Sequence, residues 1–519
     1  MNEQPIRTAS HDLPISEQLA AFMRTGWAEP DRGDLGPLPH APFTAARRER
    51  LAGRFPGETL VVPTGTLKVR NNDCDYEFRP GSDFAWLTGF YEHDAVLVLR
   101  PRGGGEETTL YLRARSSRQT DEFFRSRDGE LWTGRRRSAD EWSALLGLHC
   151  APLEELEKAL GTLDPATTRV LRGVDASVDA AVPAQDAGVA AESGARADGA
   201  VGSEAGEEPV LSEPSDPVAA QPQNASRDDE LAAALSELRL VKDAWEVEQL
   251  VAAVQATVRG FEDVVRAMPP DRESAERLVD GVFGLRARHD GNTVGYGTIA
   301  AAGEHACTLH HWRNDGVCRP GELLLLDAGV ENPHYYTADV TRTLPVGGRF
   351  TDVQRRVYEL VRAAQEAGVA TVRPGVAWRD IHRACMRVIA HGLAEWGLLP
   401  VSAEESLDDD CGLHRRWTLH ASGHMLGLDV HDCAKARAET YLDGTLAVGH
   451  VLTVEPGLYF QPDDETVPAE YRGIGVRIED DVLVTETGCV NLSAALPRRA
   501  DEVESWMADL RAAGPRLPG

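Results

Sequence analysis

The chain has 519 residues, a hydrophobic content of 42% and a formal net charge of −29 at pH 7. The length predicts at least two domains, and the acidic balance excludes a basic nucleic-acid-binding surface. The N-terminus lacks the apolar core of a signal peptide, and no apolar run is long enough to predict a membrane span. The 8 cysteines form no C-x-x-C pair, which excludes a disulfide framework. We therefore expect a reduced, cytoplasmic protein.

The first 180 residues predict an extension followed by an α/β domain. Residues 1–45 are polar, with Pro and Gly near their end, and are interpreted as an N-terminal extension. Residues 46–180 alternate short strands with helices, as expected of an α/β fold. The predicted strands lie within 60–69, at 95–101, 109–115 and 168–171, and the predicted helices at 45–54 and 140–160.

Residues 181–230 differ in composition from the domain before them. They contain eleven acidic residues against two basic ones, and the remainder is mostly Ala, Gly, Pro and Ser. Such a segment buries too little apolar surface to offset the entropy of ordering. We interpret it as a disordered acidic linker or insertion, with a solvated spacer favoured over a functional tail.

A second domain is predicted over 231–500, followed by a C-terminal tail at 501–519. Helical periodicity resumes near Asp228, and a second helix is expected over Glu273 to His289. The apolar run Leu323 to Asp327 then predicts a buried strand that ends on a carboxylate. A turn follows, and Asp339 opens the next β-type run. Because isolated buried charges are costly, these two acids predict a cation between them.

Four further segments place ionisable residues within apolar or glycine-rich sequence. His420 and His424 are four residues apart, which fits either one face of a helix or a turn at Gly423. Arg477 and Glu479 alternate with apolar residues, so both point to one side of a strand. The segments are TLHHWRN (308–314), LHASGHMLGLDVHD (419–432), VLTVEPGLY (451–459) and GIGVRIEDDV (473–482).

These residues together predict a pair of divalent metal ions. A hard, oxygen-rich ligand set favours manganese over zinc, with cobalt and iron as alternatives. Taken singly, each residue fits a turn former, a helix cap or a surface ion pair. Five such residues, each flanked by apolar sequence and all within one region, favour a metal site, because the alternative requires five unrelated explanations. The candidate ligands are Asp327, Asp339, His424, Glu455 and Glu479.

The order of these motifs resembles the Xaa-Pro aminopeptidases (aminopeptidase P), which are pita-bread metallopeptidases. The resemblance is close from about residue 240 to 498, and RPGSDFAWLTGFYEHDAVLVL (79–99) resembles the N-terminal domain of the family. It implies a creatinase-like α/β N-terminal domain. It also implies an α+β pita-bread C-terminal domain, in which helices cover a curved antiparallel sheet in two pseudo-symmetric halves.

The resemblance also implies roles for individual residues. The five candidate ligands would hold two metal ions, with Asp339 and Glu479 bridging them. Trp132 matches a tryptophan that approaches a neighbouring active site in tetrameric relatives, so a homo-oligomer, a dimer or a tetramer, is expected. The further residues implied in catalysis are His310, rather than the adjacent His311, together with His420, His431, Glu455 and Arg477.

The implied function is release of the N-terminal residue from peptides with proline in the second position. A metal-bridging hydroxide would attack the carbonyl carbon, Glu455 would relay the proton, and His420 would stabilise the oxyanion. A prolidase that cleaves X-Pro dipeptides shares the ligands and is the main alternative. A non-enzymatic pita-bread module that binds other proteins is the alternative from a different class, and it is disfavoured by the complete ligand set.

Overall fold

The structure is a computed structural model that describes residues 13–28, 35–102, 105–184 and 226–518. It divides into two compact units, which contain the described residues up to 235 and those from 236 onward. Most of the predicted linker, at 185–225, lies outside the described residues. Within the described part of the chain, no helix combines the length and apolarity required to cross a bilayer.

The first unit is built on a five-stranded mixed sheet. Strand order is β6-β5-β4-β1-β7, in which both outer pairs are parallel and the inner pairs antiparallel. The predicted α/β class is therefore confirmed. The strands are β1 Thr59–Pro63, β2 Val69–Asn71, β3 Cys74–Asp75, β4 Val96–Arg102, β5 Gly105–Leu112, β6 His149–Pro152 and β7 Thr168–Val170. The helices are α1 Glu17–Met23, α2 Ala41–Ala52, α3 Ser82–Thr88, α4 Glu122–Arg125, α5 Glu130–Thr133, α6 Ala139–Leu146, α7 Leu156–Leu160 and α8 Ala176–Ala181.

The single helix expected over 140–160 is wrong. Helix α6 ends at Leu146 because Gly147 adopts a left-handed conformation (φ 63°), which favours glycine at a helix C-terminus. The chain then extends as β6, where Cys150 pairs with Leu110 in parallel register. The apolar residues that suggested one helix are divided between a strand and α7.

The second unit contains two successive groups of helices and antiparallel strands. Sheets β10-β12-β14 and β15-β18-β19 are both antiparallel, as is the pair β16-β17. Helix α9 crosses the boundary between the units. The helices are α9 Arg227–Arg239, α10 Ala244–Ala267, α11 Glu276–Asp290, α12 Asp352–Thr371, α13 Trp378–Glu395, α14 Ala403–Leu407 and α15 Ala500–Ala513. The strands are β8 Ser274–Ala275, β9 Thr293–Val294, β10 Ile299–Ala302, β11 Val317–Cys318, β12 Leu323–Ala328, β13 Val330–Glu331, β14 Val340–Pro345, β15 Val451–Val454, β16 Gly457–Phe460, β17 Ile474–Arg477, β18 Asp480–Val484 and β19 Cys489–Asn491.

The two groups of strands meet between β14 and the β17–β18 junction. The backbone N–H of Glu479 donates to the carbonyl of Thr341 at 3.1 Å, and Thr343 Oγ1 donates to the carbonyl of Arg477 at 3.0 Å. A pair of helices, α10 with α11 and α12 with α13, precedes the strands of each group. The pita-bread architecture expected of this domain is confirmed.

Local sequence explains where the long helices begin. Asp243 and Glu246 form reciprocal side-chain-to-backbone hydrogen bonds at the start of α10, and Thr351 and Gln354 do the same for α12. The C-terminal helix α15 contributes Val503 and Met507 to the main hydrophobic core of the second unit. Most of the segment predicted as a tail is therefore packed onto the second unit.

Candidate metal centre

Strands β12 and β14 bring the first two predicted ligands together. Asp327 lies opposite Thr341 in the antiparallel ladder, and Asp339 immediately precedes β14. Only 7% of Asp327 and 5% of Asp339 are exposed, so neither carboxylate is hydrated as a surface acid would be. The strand termini therefore hold both acids at one edge of the sheet.

The phenol of Tyr296 lies between these two acids. Its oxygen is 2.6 Å from Asp327 Oδ1 and also contacts Asp339 Oδ1. The single phenol proton of Tyr296 can form a hydrogen bond to only one of these two carboxylates at a time. Burial and the charges of Asp327 and Asp339 raise the pKa of Tyr296 well above its usual value, so the phenol stays protonated.

The histidine-rich segment forms no helix, and residues 422–426 run extended beside β15, where Met425 pairs with Leu452 in antiparallel register. The backbone N–H of His424 donates to Thr453 Oγ1 at 3.0 Å, and the N–H of Thr453 donates to the His424 carbonyl at 2.9 Å. A Cβ atom at position 423 would lie 2.2 Å from the carbonyl oxygen of Thr453, so glycine is required for this close approach. The helical alternative for His420 and His424 is therefore wrong, and Gly423 lies in an extended segment and not in a turn.

His424 presents a ring nitrogen to the acids. Its Nδ1–H donates to the carbonyl of Met425 at 3.1 Å, which leaves Nε2 directed at the acids, 3.2 Å from Asp339 Oδ2 and 3.7 Å from Glu455 Oε1. Metal-binding histidines have this arrangement, with one nitrogen fixed by a backbone carbonyl. Burial opposes protonation, but the two carboxylates raise the pKa of His424 to about 9. The pocket thus attracts a cation strongly.

Glu479 and Glu455 complete the acidic group. Thr341 Oγ1 donates to Glu479 Oε2 at 2.6 Å, which aims this carboxylate at the site. Burial, with the charges of Asp339 and Glu455, raises the pKa of Glu479 well above its usual value. Burial also raises the pKa of Glu455 to about 7. These carboxylates cannot all be ionised together unless cations lie among them.

The five predicted ligands are not equally close to one another. Ligand atoms of Asp339, His424 and Glu479 all lie within 4.8 Å of one another. Glu455 joins this group through His424, whereas Asp327 joins it through Tyr296 and an ion pair with Arg477. Four carboxylates and one imidazole, whose Nε2 can exchange its proton for a metal ion, match the donors of divalent ions. The residues present therefore fit a divalent metal centre.

Arg477 connects the acidic group to Tyr459 and His420. Its guanidinium pairs with Asp327 and donates to the Tyr459 phenol oxygen at 2.9 Å. That phenol lies 2.9 Å from His420 Nε2, and His420 Nδ1 lies 2.7 Å from the carbonyl of Ala421. Burial and the charge of Arg477 lower the pKa of His420 to about 3. His420 is therefore neutral at physiological pH.

His310 and His431 lie at the exposed rim of the site. The ring of His431 is 4.5 Å from that of His424 between centroids, and His310 interacts electrostatically with both His420 and His431. His311 is buried, and its Nε2 lies 2.9 Å from Glu276 Oε2, away from this group. The structure thus places His310, and not His311, beside the other candidate residues.

Sequence reasoning missed three polar groups that contact the site. Tyr296 and Tyr459 lack any local pattern that marks them as polar partners of the acids. Asp481 could have been found, because it follows Glu479 on the same face of the strand. It is fully buried, accepts the backbone N–H of Asp339 at 3.1 Å, and has its pKa raised well above the usual value by burial and by Asp339.

Clustered buried acids and a histidine with one fixed ring nitrogen, on a curved antiparallel sheet, define a metal-dependent hydrolase. The M24 metallopeptidase family model matches residues 248–486, and the aminopeptidase P N-terminal domain model matches 44–171. The chain therefore belongs to the aminopeptidase P family of M24 metallopeptidases. The prediction of a metal-dependent aminopeptidase is confirmed.

The chain is similar along nearly its whole length to proteins of known class. It is 51% identical to Xaa-Pro aminopeptidase 1 of Streptomyces coelicolor over 513 residues, covering 98% of this chain and 96% of that protein. It is also 51% identical to Xaa-Pro aminopeptidase 2 of the same organism, covering 95% of this chain and 97% of the relative. The solved structure of Pseudomonas aeruginosa aminopeptidase PepP superposes with a TM-score of 0.73 at 29% identity, covering 92% of this chain and 99% of that one.

Proposed function

We propose that this protein releases the N-terminal residue from peptides that have proline in the second position. The observation that supports this most directly is the convergence of Asp339, His424 and Glu479 in a chain 51% identical to two Xaa-Pro aminopeptidases. The acidic surroundings suit a substrate with a free N-terminal amine, which is positively charged at neutral pH. The X–Pro bond offers no N–H, so recognition depends on that amine and on the ring.

Two divalent ions would complete the proposed site, and Asp339 and Glu479 would be among the residues that hold them. Asp327, His424 and Glu455 supply the remaining protein donors. We favour manganese, because carboxylate oxygens outnumber the single imidazole nitrogen. When bound, the ions supply a nucleophilic water at neutral pH and polarise the scissile carbonyl.

Glu455 is the proposed proton carrier. Its carboxylate lies within 3.7 Å of His424 and 3.6 Å of His420. A carboxylate held beside the reacting water can accept a proton as water adds to the carbonyl and return it to the leaving nitrogen.

Arg477 is the proposed donor to the oxyanion, and Tyr459, whose only O–H donates to His420 Nε2, is proposed to position the guanidinium. The expected role of His420 as a donor to the oxyanion does not suit its geometry. Its Nδ1–H is used by the Ala421 carbonyl, and its Nε2 accepts from Tyr459. We assign it instead to holding the Tyr459 phenol in place. His310 and His431, at the rim, are proposed to contact the proline side of the substrate.

The remaining proposals concern assembly and compartment. Trp132 is 50% exposed on the first unit, which suits a role across a subunit interface of a dimer or tetramer. None of the 8 cysteines, all of which lie in the described residues, forms a disulfide, in keeping with a reduced cytoplasmic protein.

A comparison of substrates tests this function against prolidase activity. Manganese-loaded protein should hydrolyse a Gly-Pro-Leu tripeptide and act only weakly on the Gly-Pro dipeptide. Exclusive cleavage of the dipeptide would establish a prolidase instead. Failure to cleave either peptide with manganese, cobalt or zinc would favour the non-enzymatic module.

A further inference from the structure

A second cluster of potential metal ligands lies in the same unit, apart from the five ligands above. It consists of Glu276, His305, His311 and Asp315. Glu276 is the first residue of α11 and is fully buried, whereas His305 belongs to the 3₁₀ turn Gly303–Cys307. None of these residues has a role in the proposed peptidase reaction.

Glu276 holds both imidazoles, one on each carboxylate oxygen. Oε1 lies 2.9 Å from His305 Nδ1, and Oε2 lies 2.9 Å from His311 Nε2. Asp315 Oδ1 is 3.8 Å from the same His311 nitrogen. All four residues offer a donor atom within 4.8 Å of the others, so the donor atoms are close enough together to surround one ion.

The backbone orients the Glu276 carboxylate. The N–H of Ala302 donates to Oε1 at 2.8 Å, and the N–H of Gly316 donates to Oε2 at 2.6 Å. Burial opposes ionisation, but these donors and the two imidazoles keep the pKa of Glu276 below its usual value. A carboxylate held by backbone donors is typical of metal ligands, and an ion would take the place of the two imidazole protons that now face Glu276.

Gly316 lets the backbone approach the cluster closely. A Cβ atom at this position would lie 2.6 Å from His305 Nδ1 and 2.7 Å from Glu276 Oε1. His305, Asp315 and Gly316 also line a cavity of about 840 Å³, and the His305 side chain is 35% exposed. The cavity therefore gives solvent access to His305 and Asp315, whereas Glu276 and His311 are buried.

We propose that Glu276, His305, His311 and Asp315 bind one additional divalent ion of the zinc class. Two imidazoles with one or two carboxylates are a common zinc donor set, and imidazole-rich sites favour zinc over manganese. The catalytic centre, with four carboxylates and one imidazole, has the opposite preference. The two sites thus differ in the metal that they select.

An ion at this site would join the start of α11 to the segment that carries His310. His311 follows His310 directly, and Asp315 lies four residues beyond His311. Binding would reduce the conformational freedom of the 305–316 segment. The ion is assigned a structural role, because none of its ligands reaches the proposed catalytic residues.

Zinc binding to the manganese-loaded full chain tests this proposal. The protein is titrated with zinc chloride, desalted and analysed for metal by mass spectrometry, and its thermal unfolding is recorded in parallel. His305→Ala and His311→Gln should each bind one zinc ion fewer per chain than the wild type. Each should also lose the part of the zinc-dependent rise in Tm that this ion contributes.

His289→Ala is the matched control, because His289 lies at the other end of α11 beside Asp290 and is 45% exposed. It should bind zinc as the wild type does. Equal zinc content and equal zinc-dependent Tm in wild type and His305→Ala would overturn the proposal. The two imidazoles would then be only hydrogen-bond donors to Glu276. If His311→Gln does not fold, the partly exposed His305 still decides the outcome.

Discussion

His420 Nε2 accepts a hydrogen bond from the phenol of Tyr459 at 2.9 Å. The direction of this bond follows from the other ring nitrogen, because Nδ1 lies 2.7 Å from the Ala421 carbonyl and must carry the proton. Arg477 donates to the same phenol oxygen at 2.9 Å. The Tyr459 phenol thus links the buried guanidinium of Arg477 to the neutral imidazole of His420, and it fixes the position of both side chains.

Removal of the Tyr459 hydroxyl should lower catalysis more than stability. We expect Tyr459→Phe to reduce kcat by about 10–100-fold, since His420 and Arg477 both lose their common partner. Tyr358→Phe is a matched control, because its hydroxyl donates to the Arg498 carbonyl at 2.8 Å, in a bond within the helical core. The control should cost about 1 kcal/mol of unfolding free energy and leave kcat unchanged. Equal kcat in the two variants would contradict the role of Tyr459.

Replacement of a central acid should remove both metal and activity. Asp339→Ala deletes the carboxylate nearest His424 Nε2, at 3.2 Å. Metal content, measured by mass spectrometry, should fall below two ions per chain. Activity should fall by more than the roughly 10–100-fold that is typical of outer partners of a metal site. Full activity with two bound ions would refute the ligand assignment.

Acid should destabilise the protein partly through His382 on α13. Its Nδ1 lies 3.0 Å from Ser422 Oγ, and burial, with the nearby charges of His414 and Arg415, lowers its pKa from 6.5 to about 4. The folded protein keeps this ring neutral, so its contribution to stability is complete above pH 6.5 and is lost as the pH falls towards 4. The loss is at most about 3 kcal/mol.

Urea unfolding at pH 7.5 and pH 5 measures this effect. His382→Asn should show a smaller fall in unfolding free energy between the two pH values than the wild type. His391→Asn, which changes a histidine with 53% side-chain exposure on the same helix, should behave as the wild type. An unchanged pH dependence in His382→Asn would show that other groups account for the acid sensitivity.

Metal removal should lower thermal stability as well as activity. Without cations, the charges of Asp339, Glu455 and Glu479 repel one another in a buried site. Ions present at about 100 times their Kd stabilise a fold by about 2.7 kcal/mol, which corresponds to a Tm decrease on the order of 5–10 °C when they are removed. Calorimetry before and after treatment with EDTA tests this, and an unchanged Tm would argue against a buried metal centre.

Much of the site could be predicted because its acids stand out from apolar strands. A charged residue directly after the run Leu323 to Leu326 is costly to bury without a partner, so its position indicates a specific role. The same is true of Glu455. Tyr296 and Tyr459 could not be found in this way, since an aromatic residue in a strand is also an ordinary core residue. Their role depends on contacts between segments that are far apart in sequence.

In the fold, too, some elements could be predicted from local sequence and others depend on distant contacts. Strand β12 follows from its own sequence, since five consecutive residues favour one buried strand. Strand β6 does not, because His149–Pro152 is short and follows directly after α6. Its extended conformation depends on pairing with β5, and tertiary pairing overrides the local preference there.

The proposed ligands span 152 residues, from Asp327 on β12 to Glu479 beyond β17, so the ribosome has synthesised most of the second unit before the last of them emerges. Glu479 takes its place only when its backbone reaches Thr341, in the strand beside the first ligand. Helix α15, which covers the same core, is synthesised later still. The complete set of ligands is therefore available only after residue 479 has been synthesised, and a nascent chain released before that point cannot acquire the complete centre.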